Sequence, residues 1–308
     1  MQLEPALQQF VDAVAAHPLP EDLRELRAIS EGALPQLQGA PQAVAHVIEH
    51  TVIARDGHAL VVRLYTPEGL PDERAPALLF AHGGGWFQCS LAVYDGPCRA
   101  LANASGCVIV AVGYRLAPEH PFPVPLHDVA DAWRWLQANA DRLGLDPQRL
   151  AIGGDSAGGN LAAACCLLLR ERGLPQPRHQ LLLYPALDAG MGSDSYRDYA
   201  TGYYLSAELM LRCWQAYLGG RDQPPALASP AHATNLQGLA PASVLSCEHD
   251  PLRDEAERYA HRLQAAGIDC TLERLSGMIH ACIHLQGVAA STGMAVQRAG
   301  ALLRQALA

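Results

Sequence analysis

The chain has 308 residues, half of them apolar and 17% charged, which suits either two average domains or one large α/β domain and excludes a disordered or collagen-like polymer. Basic and acidic residues number 22 and 31, a formal net charge of −9, so phosphate backbones and anionic lipid are repelled and neither nucleic acid nor a membrane surface is an expected partner. All the basic residues are Arg, and the absence of Lys removes the P-loop lysine, Schiff-base chemistry and Ser-x-x-Lys hydrolases.

Leu3, Leu7, Phe10, Val11 and Val14 recur at helical spacing before Pro18 and Pro20, and Leu23, Leu26, Arg27 and Ile29 predict a second helix ending near Gly32. From Val44 the period changes. Val47 to Ile53 and Leu60 to Tyr65 flank Asp56-Gly57, the signature of a hairpin. Short apolar runs then alternate with helical stretches: Ala77 to Ala81, Cys107 to Val112, Leu150 to Ile152, Leu181 to Tyr184, Val244 to Cys247 and a more polar Cys270 to Leu275. Val124 to Leu143 and Ser156 to Arg172 are among the helices between them. This predicts an α/β fold with a mostly parallel sheet, helices on both faces and an antiparallel hairpin at its start.

Residues 188–223 break the rhythm, with a Gly-, Ser-, Asp- and Tyr-rich stretch and a helical piece from Ser206 to Leu218. The expected division is residues 1–44 as N-terminal cap helices, 45–187 and 224–308 as the catalytic body, and 188–223 as a cap insertion. Nine Cys without Cys-x-x-Cys spacing, no leader-like start at Met1 and no long apolar span predict a cytoplasmic chain with neither structural disulfide nor zinc site. The edge near Cys270 to Leu275 is a candidate for pairing in a homodimer.

Gly154-Asp155-Ser156-Ala157-Gly158 follows an apolar strand and precedes a helix, the context in which a tight turn presents a nucleophilic serine. His82-Gly83-Gly84-Gly85-Trp86 follows another strand. Its backbone amides at Gly83 and Gly84, with that of Ala157, are the expected donors to an oxyanion. A phosphate loop is the competing reading and fails, since no Gly-Lys-Ser/Thr or G-x-G-x-x-G is present. His82 itself is read as a support for the loop. Downstream, Asp250 ends a strand and His280 follows the last one, giving the order Ser156, Asp250, His280 of an α/β-hydrolase. Glu248, Asp254 and Glu255 are local rivals to Asp250, the latter two expected to cap or stabilise the N-terminus of the next helix. His249, adjacent to Asp250 on the chain, is poorly placed as a base. His280 and His284 form an H-x-x-x-H pair, but Ala281 stands where a zincin needs Glu, so no metal and no cofactor are expected. His46 and His50 are read as surface residues.

Together with Tyr114-Arg115-Leu116-Ala117-Pro118-Glu119 and Asp250-Pro251-Leu252-Arg253-Asp254-Glu255, these motifs resemble the hormone-sensitive-lipase-like (bacterial family IV) esterases in order and spacing, from about residue 45 to the C-terminus. The resemblance implies an α/β-hydrolase fold with a helical cap and a serine carboxylesterase with Ser156 as nucleophile, His280 as general base then acid, and Asp250 as its orienting carboxylate. It implies small ester substrates of short to medium acyl chain, no cofactor, and a structural role for Arg115 and Glu119. Trp86, Tyr203, Tyr204, Met210, Trp214 and Cys282 are the expected pocket residues. One departure stands out: the family's His-Gly-Phe reads His280-Ala281-Cys282 here, a small change unless position 281 needs a positive φ. Amide hydrolysis, acyl transfer to an alcohol and a non-catalytic receptor on the same scaffold are the alternatives.

Overall fold

A computed structural model describes residues 2–17, 19–70 and 74–308. Pro18, one of the two expected helix breakers, and Met1 lie outside the described residues. In chain order the elements are α1 (Pro5–Ala15), α2 (Leu23–Ala33), β1 (His46–Ile53), β2 (Ala59–Thr66), β3 (Ala75–Ala81), α3 (Asp95–Ser105), β4 (Val108–Gly113), α4 (Val124–Asn139), β5 (Leu145–Asp155), α5 (Ala157–Glu171), β6 (Gln180–Leu183), α6 (Asp194–Asp198), α7 (Ala207–Leu218), β7 (Ala242–His249), α8 (Arg253–Ala265), β8 (Cys270–Ile279) and α9 (Ala290–Ala306).

The strands form one sheet in the order β1-β2-β4-β3-β5-β6-β7-β8. The Asp56-Gly57 hairpin pairs β1 with β2 antiparallel, β2 pairs antiparallel with β4, and every pair from β4 to β8 is parallel. Parallel strands need their connections to cross over, and the crossover helices cover both faces. One face packs the apolar sides of α4, α5 and α8. The other packs α1, α3 and α9. The central strands are therefore apolar on both sides, as in the burial of Ala77 to Ala81 and Val108 to Val112. The outer strand β1 is largely exposed, with His46 at the surface and His50 half-buried against the Trp135 ring, 5.6 Å between centroids. Among the described residues no helix is long and apolar enough to cross a membrane.

Register places the chemistry. Ala81 pairs with Gly154, so the glycine loop after β3 and the serine turn after β5 leave the sheet side by side. His249 pairs with Ile279, so Asp250 and His280 leave it together two strands away. All four segments emerge at the carboxyl ends of parallel strands, where α/β sheets open a crevice.

Candidate active site

Ser156 is the single residue between β5 and α5, at φ 53° and ψ −119°. The turn closes because its flanking glycines have no side chain: a Cβ on Gly158 would lie 1.9 Å from the Ala81 carbonyl oxygen, and one on Gly154 2.3 Å from the same atom. The hydroxyl is held above the first turn of α5, and from Ala157 through Leu169 that helix is buried throughout.

Ser156 Oγ lies 2.9 Å from His280 Nε2, and His280 Nδ1 lies 2.7 Å from Asp250 Oδ2. Asp250 is fully buried, and its other oxygen accepts the Leu252 amide at 2.9 Å. With Asp250 accepting from Nδ1–H, the imidazole keeps Nε2 as an acceptor for the serine proton. The Tyr184 ring closes one side of His280, edge-on at 4.9 Å. The structure thus brings together Ser156, His280 and Asp250.

The rivals to Asp250 are engaged elsewhere. Glu248 accepts from the Ser276 hydroxyl and the Gly277 amide at 2.9 and 2.7 Å. Asp254 and Glu255 lie in the first turn of α8, the expected place for acids that stabilise its N-terminus, although neither carboxylate caps it with a hydrogen bond. Asp254 accepts the Ser195 amide at 2.9 Å, and Glu255 accepts the Leu187 amide at 2.6 Å, so both tie segment 187–195 to the body. Their reach across the fold was not visible in local sequence. Burial pushes the Glu255 carboxyl well above its ordinary range. His249 stacks flat on Tyr203, 5.2 Å between centroids.

His82 supports the glycine loop as expected. Its Nδ1 bonds to the Gly83 carbonyl at 2.8 Å, its ring stacks on Tyr114 at 4.3 Å, and the Tyr114 hydroxyl donates to the His82 carbonyl. Burial holds the His82 imidazole down to about 4, so it is neutral at pH 7. The expected role of the Gly83 amide needs correction. It is already donated to Asp155 Oδ1 at 2.9 Å and to the Tyr94 hydroxyl at 2.8 Å, which leaves it no hydrogen for an oxyanion. Gly84 and Gly85, in contrast, line the cavity beside Ser156.

That cavity has a volume of about 330 Å³ and reaches from Ser156 and His280 to a cover formed by α1, α2 and the 204–213 segment. Of the expected pocket residues, Tyr204 and Met210 line it. Trp86, Tyr203, Trp214 and Cys282 do not. Trp86 lies fully buried between Tyr217, stacked at 4.3 Å, and Trp214, at 4.4 Å. Cys282 packs with its sulfur 3.9 Å from that of Cys247. Trp86, Trp214 and Cys282 are buried in the core, whereas Tyr203 is half-buried between the Tyr199 and His249 rings. Sequence reasoning missed Phe10 and Val14 of α1 and Leu26 and Ile29 of α2, all on the cavity wall. Their helical stripe was the available signal; what the stripe faces was not.

Arg115 bonds Asp128 and Asp56 at 2.6 and 2.7 Å, and Glu119 receives Arg27 of α2 at 2.9 Å. Arg27 also donates to the carbonyls of Phe87 and Ala117, so this network clips the cover to the loop after Gly85. Ala281 adopts φ 59° and ψ 25°: the position does need a positive φ, and alanine bears the strain there. His284 accepts from the Gln38 amide through Nδ1 at 2.9 Å, and burial lowers it to about 3. No group of three or more His, Cys, Asp or Glu among the described residues is placed to hold a metal ion.

Comparison with known proteins agrees with this geometry. A family model described as the alpha/beta hydrolase fold matches residues 78–284. The chain is 37% identical to an ethyl acetate hydrolase of Pseudomonas putida, over 91% of this chain and 92% of that one. It is 34% identical to the carboxylesterase NlhH of Mycobacterium tuberculosis, over 99% and 96% of the two chains. Among solved structures it superposes on an ester-hydrolase from the metagenome of Lake Arreo with a TM-score of 0.93 at 36% identity, covering 99% of each chain. A hyperthermophilic esterase from Pyrobaculum calidifontis gives 0.90 at 36%, covering each chain completely. The chain therefore belongs to the α/β-hydrolase family, in the hormone-sensitive-lipase-like branch that its motifs resemble.

Proposed function

We propose that Ser156, His280 and Asp250 hydrolyse small esters of short to medium acyl chain through an acyl-enzyme. The chain is a carboxylic ester hydrolase. Ser156 attacks the ester carbonyl while His280 Nε2 takes the hydroxyl proton, and the carbonyl oxygen becomes an oxyanion. The amides of Gly84, Gly85 and Ala157 donate to that oxygen; each such donor supplies about 3 kcal/mol or more of transition-state stabilisation. The protonated His280 then gives its proton to the leaving alkoxide, and the alcohol departs. A water, deprotonated by the same nitrogen, attacks the acyl carbonyl, and the proton returns to Ser156 as the acid leaves. Asp250 holds the tautomer throughout and stabilises the imidazolium.

The observation that carries this reading is the unbroken Ser156–His280–Asp250 chain of 2.9 and 2.7 Å hydrogen bonds opening into the apolar cavity. The preference for modest acyl chains follows from the closing of that cavity by α1, α2 and α7. In this reading residues 1–44 and 188–223 act as a cap, the enzyme is cytoplasmic, needs no cofactor, and pairs with a second copy along the β8 edge. A series of p-nitrophenyl esters of increasing chain length tests it. Hydrolysis should peak at short acyl chains and fall by about 10⁴-fold or more in Ser156→Ala and in His280→Ala. A folded wild-type protein inactive at every chain length would overturn it.

A further inference from the structure

Asp155, the residue just before the nucleophile, has no part in the proton relay, yet it is almost fully buried at the cavity edge. No cation pairs with it among the described residues. Its partners are donors of another kind. Oδ1 accepts the Gly83 amide at 2.9 Å, and Oδ2 accepts the Tyr94 hydroxyl at 3.0 Å. The Tyr94 oxygen in turn accepts the same Gly83 amide at 2.8 Å. The three groups close a triangle between the serine turn, the start of α3 and the glycine loop. The fit is tight: a Cβ on Gly83 would stand 2.6 Å from Asp155 Oδ2 and 2.7 Å from the Tyr94 oxygen.

A loop of three consecutive glycines does not hold its own shape, and Gly84 and Gly85 sit at φ 106° and 56°. Catalysis by backbone amides requires donors 2.7–3.1 Å from the place where charge will develop, roughly the tolerance of one hydrogen bond. The loop has other ties: Tyr114 holds the His82 carbonyl, and the Gly84 carbonyl accepts the Phe87 and Gln88 amides. Of the side chains bonded to it, Asp155 is the one adjacent to Ser156 on the chain, so its carboxylate sets the loop directly against the nucleophile. A carboxylate suits this place because its two oxygens accept from an N–H and an O–H at once.

We propose that Asp155 is a positioning residue for ester hydrolysis: with Tyr94 it fixes the Gly83 amide and thereby aims the amides of Gly84 and Gly85 at the carbonyl oxygen on Ser156. The proposal rests on the ester-hydrolase reading and adds a residue that the triad does not contain. It also explains why the first glycine of the loop cannot itself serve as a donor.

The test compares wild type, Asp155→Ala, Asp155→Asn and Tyr94→Phe in p-nitrophenyl acetate hydrolysis and in binding of an alkyl trifluoromethyl ketone, whose adduct with the serine mimics the oxyanion. Asp155→Ala should lower kcat by about 10- to 100-fold with KM changed less than about threefold, and weaken the ketone by a matching factor. Asp155→Asn, which keeps an acceptor for Gly83, should recover most of that loss, and Tyr94→Phe should lose about three- to tenfold in both readouts. Unchanged kcat and ketone affinity in folded Asp155→Ala, or a rise in KM alone, would overturn the proposal. If Asp155→Ala does not fold, wild-type kcat and ketone affinity in Tyr94→Phe would do so. An active wild type with unaffected variants removes the positioning role alone, whereas a wild type that neither hydrolyses esters nor binds the ketone removes the ester-hydrolase reading with it.

Discussion

The sheet end and the cover above it are built on different physics. At the sheet end, strand register and buried hydrogen bonds place each reacting group: Ala81 opposite Gly154, and His249 opposite Ile279. α5, which backs the serine, is buried from Ala157 through Leu169. In the cover, α1 buries only Leu7 and Val11, and α2 only Leu26 and Ser30. These helices rest on the body through an apolar face and a few polar clips. Arg27 reaches the Phe87 and Ala117 carbonyls, and Arg212 of α7 reaches those of Pro20 and Glu21. Rigid strands carry the chemistry, while the shallowly anchored α1 and α2, with the better-buried α7, shape the cavity. The elements with least burial are the ones expected to open first.

The contrast can be sharpened within the cover itself. Trp214 sits in its aromatic core against Trp86, whereas Tyr204 lines the cavity. Trp214→Ala should cost about 3–5 kcal/mol in urea unfolding and leave the preferred acyl length of the folded protein unchanged. Tyr204→Ala should do the reverse, with a smaller loss of stability and a shift toward longer acyl chains. The same shift in both variants would mean that the cover deforms as one unit.

At the sheet end, function is set against stability. Burial pushes the Asp155 carboxyl up to about 6, while the bonds from Tyr94 and Gly83 and the nearby His280 draw it back. Between about pH 4 and 6 the folded chain therefore holds this proton more tightly than the unfolded chain does. The associated stability is fully present below the ordinary carboxylate range and is lost as pH rises through 6, in total about 3 kcal/mol. His82, His179 and His284, lowered by burial, act in the opposite sense and are common to wild type and variant. From about pH 4 to pH 8, the unfolding free energy of Asp155→Asn should therefore gain on wild type by up to about 3 kcal/mol. A gap independent of pH would place Asp155 in a polar environment. The smallest effect concerns Ala281, whose φ of 59° glycine adopts without strain. Ala281→Gly should stabilise by about 1 kcal/mol at most, since glycine also loosens the unfolded chain.

Much of this was legible in the sequence because it is local. The serine turn needs small residues at fixed offsets, the hairpin carries Asp-Gly, and apolar runs alternating with helical stretches announce a parallel sheet. Strand ends bring Ser156, Asp250 and His280 forward in that order, and the family's linked motifs single out Asp250 among its neighbours Glu248, Asp254 and Glu255. What was not legible depends on distant partners. Gly83 reads as an oxyanion donor until Asp155, 72 residues further along, and Tyr94, 11 residues further along, are seen to take its hydrogen. Trp86 and Trp214 have the composition of a pocket wall, but large aromatics also fill cores, and spacing does not distinguish the two. Asp254 and Glu255 stand in the first turn of α8 as expected, but their reach across to segment 187–195 depends on the fold.

The most direct test of the central claim is to titrate the protein with p-nitrophenyl diethyl phosphate, follow nitrophenolate release, and locate the adduct by peptide mass spectrometry. The account predicts one equivalent released per chain, a phosphorylated Ser156, no reaction in Ser156→Ala and a reaction slowed by orders of magnitude in His280→Ala. Stoichiometric labelling of another residue, or no labelling of the folded wild-type chain, would contradict it.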